Sequence, residues 1–194
     1  MSKNKVVFGF KNVHIAFMDE DAQEQPAWKT PVKIPGAVSF APSPEGDTNT
    51  FYADDTQYFV YTSNNGYTGE LTMANLPDEI LAEMFGWEID DNEMLVEVAD
   101  AKPKKFALMG EVQGDQRQRR FVFYSVQASR PTLERNTKAE SVEPSTVALP
   151  VTISPIEING KMIVKGDIEL SETNKTVFDS FFNEVYLPTI TPEA

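Results

Sequence analysis

The sequence predicts a mainly β protein, a sandwich or partly open barrel with one short helix packed against it. Thirteen Phe and six Tyr favour strands, and they exclude the composition of a disordered acidic chain. Short apolar segments recur between turn residues, whereas helical spacing of apolar residues occurs in only two short stretches. At 194 residues the chain fits a single domain, residues 1–194.

The first half of the chain predicts an arm, a loop and a hairpin. Residues 1–18 alternate loosely, as expected for an N-terminal arm or a first strand pair. Residues 42–49 are rich in Pro, Ser, Gly and Asp, which predicts a loop. Asn64-Asn65-Gly66 predicts a tight turn between strands at 58–62 and 67–73, because Asn and Gly tolerate positive φ.

Two segments predict helices. Residues 77–85 begin with Pro77 and two acids in the first turn, and Gly86 follows as a stop signal. One face of this segment is apolar, so we expect it to pack on a sheet. Residues 174–186 place Val and Phe on one side, which predicts a second helix within a C-terminal extension at 172–194.

The second half is dominated by two predicted strands at 105–112 and 120–128, joined by a turn at Gly114-Asp115. Further strands are predicted at 146–153 and 162–170. The 120–128 strand carries apolar groups on both faces, so we expect both faces to be covered. One face holds Phe121, Phe123 and Ser125, and the other holds Val122, Tyr124 and Val126.

Charge is distributed very unevenly along the chain. Residues 1–100 hold five bases and eighteen acids, a formal −13, whereas residues 101–194 hold twelve of each. Between Lys33 and Lys102 there is no base at all, against fourteen acids. Such a surface repels nucleic acid and anionic lipid, and local ion pairs cannot neutralise it. No apolar run approaches the roughly 20 residues of a membrane helix, so we expect no membrane partner.

Residues that usually carry chemistry are scarce. The absence of Cys excludes disulfides and thiolate sites. The single His14 lies in an alternating stretch, and we expect it to be a surface or edge histidine. Zinc, iron and phosphate-binding patterns are missing, so neither a catalytic residue nor a cofactor is expected.

Carboxylate pairs and one basic cluster remain as candidates. Asp54 and Asp55 are adjacent, and in a strand they would point to opposite faces instead of forming a hydrolytic pair. The acids at 90–93 lack the spacing of a calcium loop. Arg117, Arg119 and Arg120 are either a solvated hairpin end or a docking point for the acidic half of another copy.

Several motifs together resemble the phi13-type major tail proteins, the tail tube family of long non-contractile-tailed bacteriophages. The resemblance covers about residues 3–170 and rests on order and spacing. The motifs are Ile34-Pro35-Gly36-Ala37-Val38, Phe51-Tyr52-Ala53-Asp54-Asp55, Ser63 to Leu71, the Leu76-Pro77 helix start, Phe106-Ala107-Leu108 and Ser129-Arg130-Pro131-Thr132.

The resemblance implies a structural subunit that forms stacked hexameric rings, with DNA passing through the lumen without specific binding. It implies contacts with tape measure, terminator and baseplate or tip proteins, and a place in the virion after assembly in the host cytoplasm. On this basis the subunit-interface or lumen candidates are Phe51, Tyr52, Asp54, Asp55, Arg117, Arg119, Arg120 and Arg130.

Two other functions are compatible with the residues alone. A non-catalytic β-sandwich binding module, such as an adhesin or a carbohydrate-binding domain, would use exposed aromatics such as Trp28, Tyr58 or Tyr61. A hydrolase would use Asp54 or Asp91.

Overall fold

A computed structural model describes residues 9–53, 55–113, 118–132 and 146–189. Within these residues it contains fifteen strands and two helices. In chain order they are β1 Phe10–Asp19, β2 Ala27–Trp28, β3 Val32–Lys33, β4 Ala37–Glu45, β5 Thr48–Ala53, β6 Thr56–Thr62, β7 Gly66–Met73, α1 Asp78–Phe85, β8 Glu88–Ile89, β9 Leu95–Val96, β10 Phe106–Val112, β11 Arg119–Ala128, β12 Val147–Ile153, β13 Ile156–Ile158, β14 Lys161–Ile163, β15 Lys165–Glu169 and α2 Lys175–Ser180.

Most strands belong to one large antiparallel sheet in the order β2-β1-β10-β11-β12-β7-β4. β3 pairs with β1, and β15 pairs with β11. β1 and β4 are far apart in this order, yet the rings of Phe10 and Phe40 lie 6.2 Å apart. The sheet therefore curls round on itself without closing, and the mainly β, partly open barrel predicted from the sequence is confirmed.

The inside of the curl is an aromatic and aliphatic core. Phe121 and Phe123 of β11 pack against Phe40, with ring centroids 6.1 and 5.3 Å apart. Helix α1 adds Ile80, Met84 and Phe85 to this core. The predicted helix at 77–85 is thus confirmed, with Pro77 at its N-cap and Gly86 ending it at a φ of 69°.

The outside of β1, β10 and β11 is also covered. A second buried cluster contains Ala107, Met109, Val122 and Tyr124 from the sheet, together with Phe181 from the C-terminal segment. Burial raises the pKa of the Tyr124 phenol to about 12. The protonated phenol donates a hydrogen bond to the Tyr186 carbonyl oxygen at 3.0 Å. The prediction that both faces are covered is confirmed.

One face assignment within β11 is wrong. Val126 lies in the inner core together with Phe123, although their separation by three residues predicts opposite faces. The pairing of β10 with β11 shifts register at this point, from Phe106↔Val126 to Leu108↔Phe123. A bulge adds a residue on one strand and so reverses the alternation beyond it.

The predicted hairpin at Asn64-Asn65-Gly66 is wrong. β6 pairs with β5, whereas β7 pairs with β4 and β12. The chain continues across these residues instead of reversing. The Asn64 side chain accepts a hydrogen bond from Gly66 N at 3.1 Å, and Gly66 has a φ of 102°. The same residue types therefore make a bend, which passes close to Ile153 O.

Other boundaries also differ from the sequence prediction. Residues 42–49 are mostly strand, because β4 extends to Glu45 and β5 begins at Thr48. Residues 10–18 form most of β1, whose inward side chains fill the core, so of the two alternatives predicted for residues 1–18 they follow the first strand and not the arm. The strand at 162–170 is divided between β14 and β15, and helix α2 ends at Ser180 instead of 186. The turn at Gly114-Asp115 lies outside the described residues.

Replacing Gly66 with Ala should destabilise the fold strongly. Its added Cβ would lie 1.9 Å from Ile153 O, and the positive φ strains any other residue. We expect G66A to lower the free energy of unfolding by about 3 kcal/mol or more in urea titration. G160A is the matched control, because Gly160 has a φ of 75° with nothing within 4 Å, and it should cost about 1 kcal/mol. Equal losses would show that crowding at Gly66 is unimportant.

Candidate assembly surface

The hairpin of β5 and β6 carries a dense group of exposed apolar side chains. Every residue of β6 is exposed. Phe51 and Tyr52, both predicted candidates, are 62% and 66% exposed, as are large neighbours on β6: Tyr58 75%, Phe59 59%, Val60 46% and Tyr61 57%. Apolar patches of this kind mark interaction surfaces, because a monomer gains nothing by leaving them in water.

The hairpin extends the main sheet as a two-stranded ribbon. Its base is held by Ser63 N donating to Asp47 O at 2.9 Å and by Asn65 N donating to Glu45 O at 2.9 Å. These bonds join the β5–β6 ladder to the β4–β7 ladder. The ribbon therefore projects from the body with its direction fixed by the sheet.

One of the two predicted acids lies in the turn of the hairpin. Asp54 lies outside the described residues. Asp55 is exposed, with a φ of 59°. Asp55 is therefore in a turn, and for this residue the assumption of a strand position is wrong. Apart from these two carboxylates, residues 48–62 carry no charge.

The acids that follow the hairpin lie on the surface. Asp78 and Glu79 are exposed on the first turn of α1, and Asp91 and Glu93 are exposed between β8 and β9. Asp90 accepts hydrogen bonds from Met94 N and Asn92 N, each at 2.8 Å, and these bonds hold its carboxyl pKa below the usual value. These acids form an anionic surface around α1 and the β8–β9 hairpin.

Two basic residues outside the base-free segment at residues 34–101 form ion pairs with acids inside it. Lys29 Nζ lies 2.6 Å from Glu83 Oε1, and Arg130 NH1 lies 2.7 Å from Glu97 Oε1. Arg130, a predicted interface candidate, is therefore engaged within its own chain in this structure. Both pairs are largely exposed and contribute little to stability.

The family model described as phage tail tube protein matches residues 1–189.

The chain belongs to the phage tail tube protein family.

One solved structure supports the fold of this tail tube family member. The tube-terminating cap of the anti-feeding prophage is similar with a TM-score of 0.51 at 10% identity, over 88% of this chain and 96% of that one. The sheath-tube complex of an extracellular contractile injection system in its extended state has a TM-score of 0.47 at 10% identity, over 82% and 89%. No curated protein matches the chain.

Two of the remaining predicted arginines, Arg119 and Arg120, lie at the start of β11. Arg117 is outside the described residues, and Arg119 pairs with Glu169 of the neighbouring β15. The guanidinium of Arg120 lies 3.9 Å from the ring centroid of Phe178 and 4.8 Å from that of Phe182. For Arg120 the expectation of a solvated hairpin end is wrong, because the C-terminal segment covers it.

Arg120 and His14 hold this C-terminal segment against the sheet. Arg120 also donates to the Phe178 carbonyl oxygen and lies 3.4 Å from Glu111 Oε2. His14 stacks on Phe182 with ring centroids 4.4 Å apart. His14 is therefore buried, and the prediction of a surface or edge histidine is wrong.

The structure also bears on the alternative functions. Trp28 is half-buried, and its indole N–H donates to Tyr124 O at 3.2 Å, so it does not line an open groove. No group of three His, Cys, Asp or Glu positioned to hold a metal ion occurs among the described residues. In the same part of the chain, no helix has the length and apolar character needed to span a membrane.

Phe59 and Val60 are members of the exposed surface that the sequence prediction did not single out. The sequence predicts residues 58–62 as a strand that pairs with residues 67–73. The missing information was the true partner, because among the described residues β5 and β6 pair with each other and with no other strand. Hydrophobic periodicity cannot reveal the partner of a strand, because it predicts the strand itself and not the elements that pack on it.

Arg120→Lys should loosen the C-terminal segment, because an ammonium cannot stack between two rings and donate in a plane as a guanidinium does. We expect a loss of about 1–2 kcal/mol in urea unfolding. The matched control is Arg130→Lys at the exposed Glu97 pair, where we expect less than about 0.5 kcal/mol. Equal effects at the two sites would contradict the role given to Arg120.

His14 should make stability depend on pH near neutrality. Burial, together with nearby Lys33 and Arg120, lowers its pKa, although its hydrogen bond to Asn12 O opposes the shift. The unfolded chain takes up a proton below about pH 6.5 that the folded chain resists. This contribution to stability is therefore present above about pH 6.5 and is lost as the pH falls below it. Between pH 7.5 and 5.5 the wild type should lose more stability than His14→Gln in urea titration, and parallel losses would contradict this.

Proposed function

We propose that this chain is the structural subunit of a phage tail tube, without catalytic activity, that self-assembles into stacked hexameric rings. DNA passes through the lumen during ejection without being specifically bound. The observation that carries the proposal is the projecting hairpin of β5 and β6, whose exposed aromatics require a covering surface. In a tube protein, that surface is supplied by further copies of the chain.

The sheet edges constrain how rings can form. β4 is an edge of the main sheet, and it contains Pro42 and Pro44. Proline on an edge strand removes the donor that would face a joining strand. Strand addition along β4 is therefore limited to residues 37–41, and the remaining ring contacts are made by other surfaces, including the hairpin.

The acidic surface supports a passive path for DNA. Phosphates bind proteins by displacing counterions from Lys and Arg, so a lumen lined with those residues would hold DNA. The stretch from residue 34 to residue 101 offers carboxylates and uncharged side chains instead. Asp78, Glu79 and the acids between β8 and β9 are candidates for this lining.

Stacking of rings is a contact between two different surfaces, because each ring meets its neighbours head to tail. The balanced second half of the chain, with twelve bases and twelve acids, is the natural counterpart of the acidic half. Arg119 and Arg130 remain candidates there, although each also has a carboxylate partner within the chain. We further propose tape measure, terminator and baseplate or tip proteins as partners at the tube ends, and assembly in the host cytoplasm.

Assembly should respond to salt in a predictable direction. Six copies carry six times −13, or −78, and this repulsion opposes ring closure. Added salt screens it, so purified chain should show more and longer rings or tubes at high than at low ionic strength. Negative-stain microscopy and sedimentation velocity measure this directly.

The control is far-ultraviolet circular dichroism across the same salt series, which should stay constant if only assembly changes. A chain that stays monomeric at every salt and protein concentration, and that is missing from virions, would contradict the proposed function. Rings that dissociate as salt increases would instead show that ion pairs, not apolar contacts, hold the copies together.

A further inference from the structure

The C-terminal segment, residues 171–189, is attached to the sheet by side chains and not by a strand ladder. Its main-chain to main-chain hydrogen bonds to other described residues stay within the segment, as between Phe181 N and Phe178 O at 3.3 Å. None of the described strands pairs with it. The segment can therefore leave the sheet without breaking a backbone hydrogen bond of the sheet, which is the condition for opening separately from global unfolding.

Four anchoring side chains from the sheet and its hairpins each act on a carbonyl oxygen or a ring of the segment. They are Arg120 on Phe178 O, His14 on the Phe182 ring, Tyr124 on Tyr186 O and Asn159 on Pro188 O. A guanidinium stays charged, an amide does not titrate, and the Tyr124 phenol has a pKa of about 12. Of these four anchors, only His14 changes its charge near neutral pH.

The segment covers one of the two buried clusters and leaves the other alone. Val122 belongs to the outer cluster, which also contains Phe181 of the segment. Val126 of the same strand belongs to the inner core, which the curled sheet and helix α1 enclose. Detachment of the segment therefore uncovers Val122 and leaves Val126 buried.

His14 is held as a neutral ring under this segment. Its ring is buried and stacks on Phe182, with centroids 4.4 Å and planes 19° apart. Its Nδ1 lies 2.9 Å from Asn12 O, and because a carbonyl oxygen only accepts, Nδ1 carries the proton. A second proton has to be taken up by Nε2 of a ring that the segment shields from water, which is unfavourable.

The charges around His14 make the second proton still less favourable. Lys33 of β3 lies directly opposite His14 in the strand pairing, and both Lys33 and Arg120 lower the pKa of the ring in addition to burial. Glu111 of β10 is shared between Arg120 and Lys11, at 3.4 and 3.5 Å. The charged residues of the segment itself are all exposed: Glu172, Lys175, Asp179 and Glu184.

We propose that residues 171–189 form an acid-released cover over the outer face of the sheet, with His14 as the group that senses the proton. Protonation of His14 favours the detached segment, because detachment lets water reach the imidazolium and screen it from Lys33 and Arg120. The neutral ring favours the attached segment through its contact with Phe182. The inference goes beyond the proposed function, since it concerns a single chain and does not require that copies assemble.

The absence of cysteine allows one thiol to report each cluster. Val122→Cys and Val126→Cys make the same change on the same strand, on the covered outer face and in the inner core. Their reaction with a dipyridyl disulfide is measured in the dilute, full-length monomer at pH 7.5 and 5.5. Each rate is divided by that of Thr62→Cys, an exposed position, which removes the pH dependence of the reagent.

The normalised rate of Val122→Cys should rise at least about threefold between pH 7.5 and 5.5, since a difference of one pKa unit between attached and detached states is worth up to about tenfold. With His14→Gln also present, the rise should be less than about 1.5-fold. At both pH values Val126→Cys should react at least about tenfold more slowly than Val122→Cys, because it needs global unfolding.

Three results would overturn the proposal. Equal rates at the two valine positions would show that the segment leaves only when the whole chain unfolds. A constant normalised rate of Val122→Cys would show that acid does not release it, and a rise that persists in His14→Gln would assign the proton to another group. None of these results bears on tube assembly, which is measured separately.

Proton NMR of His14 gives an independent readout, because the chain has one histidine and its ring signal titrates alone. The midpoint should lie below about pH 6.5 in the wild type and rise towards about 6.5 in Phe182→Ser, which removes the stacked ring. Thr176→Ala, at an exposed position of the same segment, is the matched control and should leave the midpoint unchanged. An unchanged midpoint in Phe182→Ser would contradict the coupling between the proton and the cover.

Discussion

The fold depends on the covering of β10 and β11 from both sides. Residues 106–110 are buried without interruption, and so are residues 121–126. Strands of this composition cannot form the wall of a one-layer sheet, because one face would be left in water. The curl of the sheet covers one face with the inner core, and the C-terminal segment covers the other. Arg120 and His14 hold that segment in place, so both side chains belong to the packing of the fold.

The burial of β10 and β11 on both faces also limits where charged residues can lie. The interior of the curl and the outer cover are both apolar, so none of the described acids of the first half is buried. They lie on α1, around β8 and β9, in turns, and at exposed strand positions such as Glu70 of β7. α1 illustrates this, because Ile80, Met84 and Phe85 face the core while Asp78 and Glu79 remain exposed. The acidic segment thus contributes an anionic surface around α1 and the β8–β9 hairpin, whereas Arg119 and Arg120 lie at the start of β11, where they pair with Glu169 and Glu111.

Local signals in the sequence were sufficient wherever a segment determines its own structure. Pro77 and Gly86 bound a helix that forms where expected, and the apolar residues on both faces of β11 predicted that both faces are covered. The prediction failed where pairing is decided at a distance. Asn64-Asn65-Gly66 carries the residues of a tight turn, but β12 already occupies one edge of β7 and β4 the other. No local pattern distinguishes a bend in a long ribbon from a reversal.

The candidate surface shows the same division between local and distant causes. Phe51 and Tyr52 were predicted from a family motif. The exposure of Phe59 follows instead from strand pairing, because β5 and β6 pair with each other outside the main sheet. Arg120 looked like a free cation because the phenylalanines that enclose it lie 58 and 62 residues later in the chain.

In the proposed tube, the strands of the β5–β6 hairpin, which carry no charged residue, resolve a conflict between releasing DNA and closing a ring. A surface that releases DNA must be anionic or neutral, but anionic copies repel each other at the distances over which a ring closes. Attraction located on this ribbon would keep the two requirements apart in space. Pro42 and Pro44 also restrict assembly in the proposed tube, because they prevent β4, the edge strand of the main sheet, from adding strands without limit.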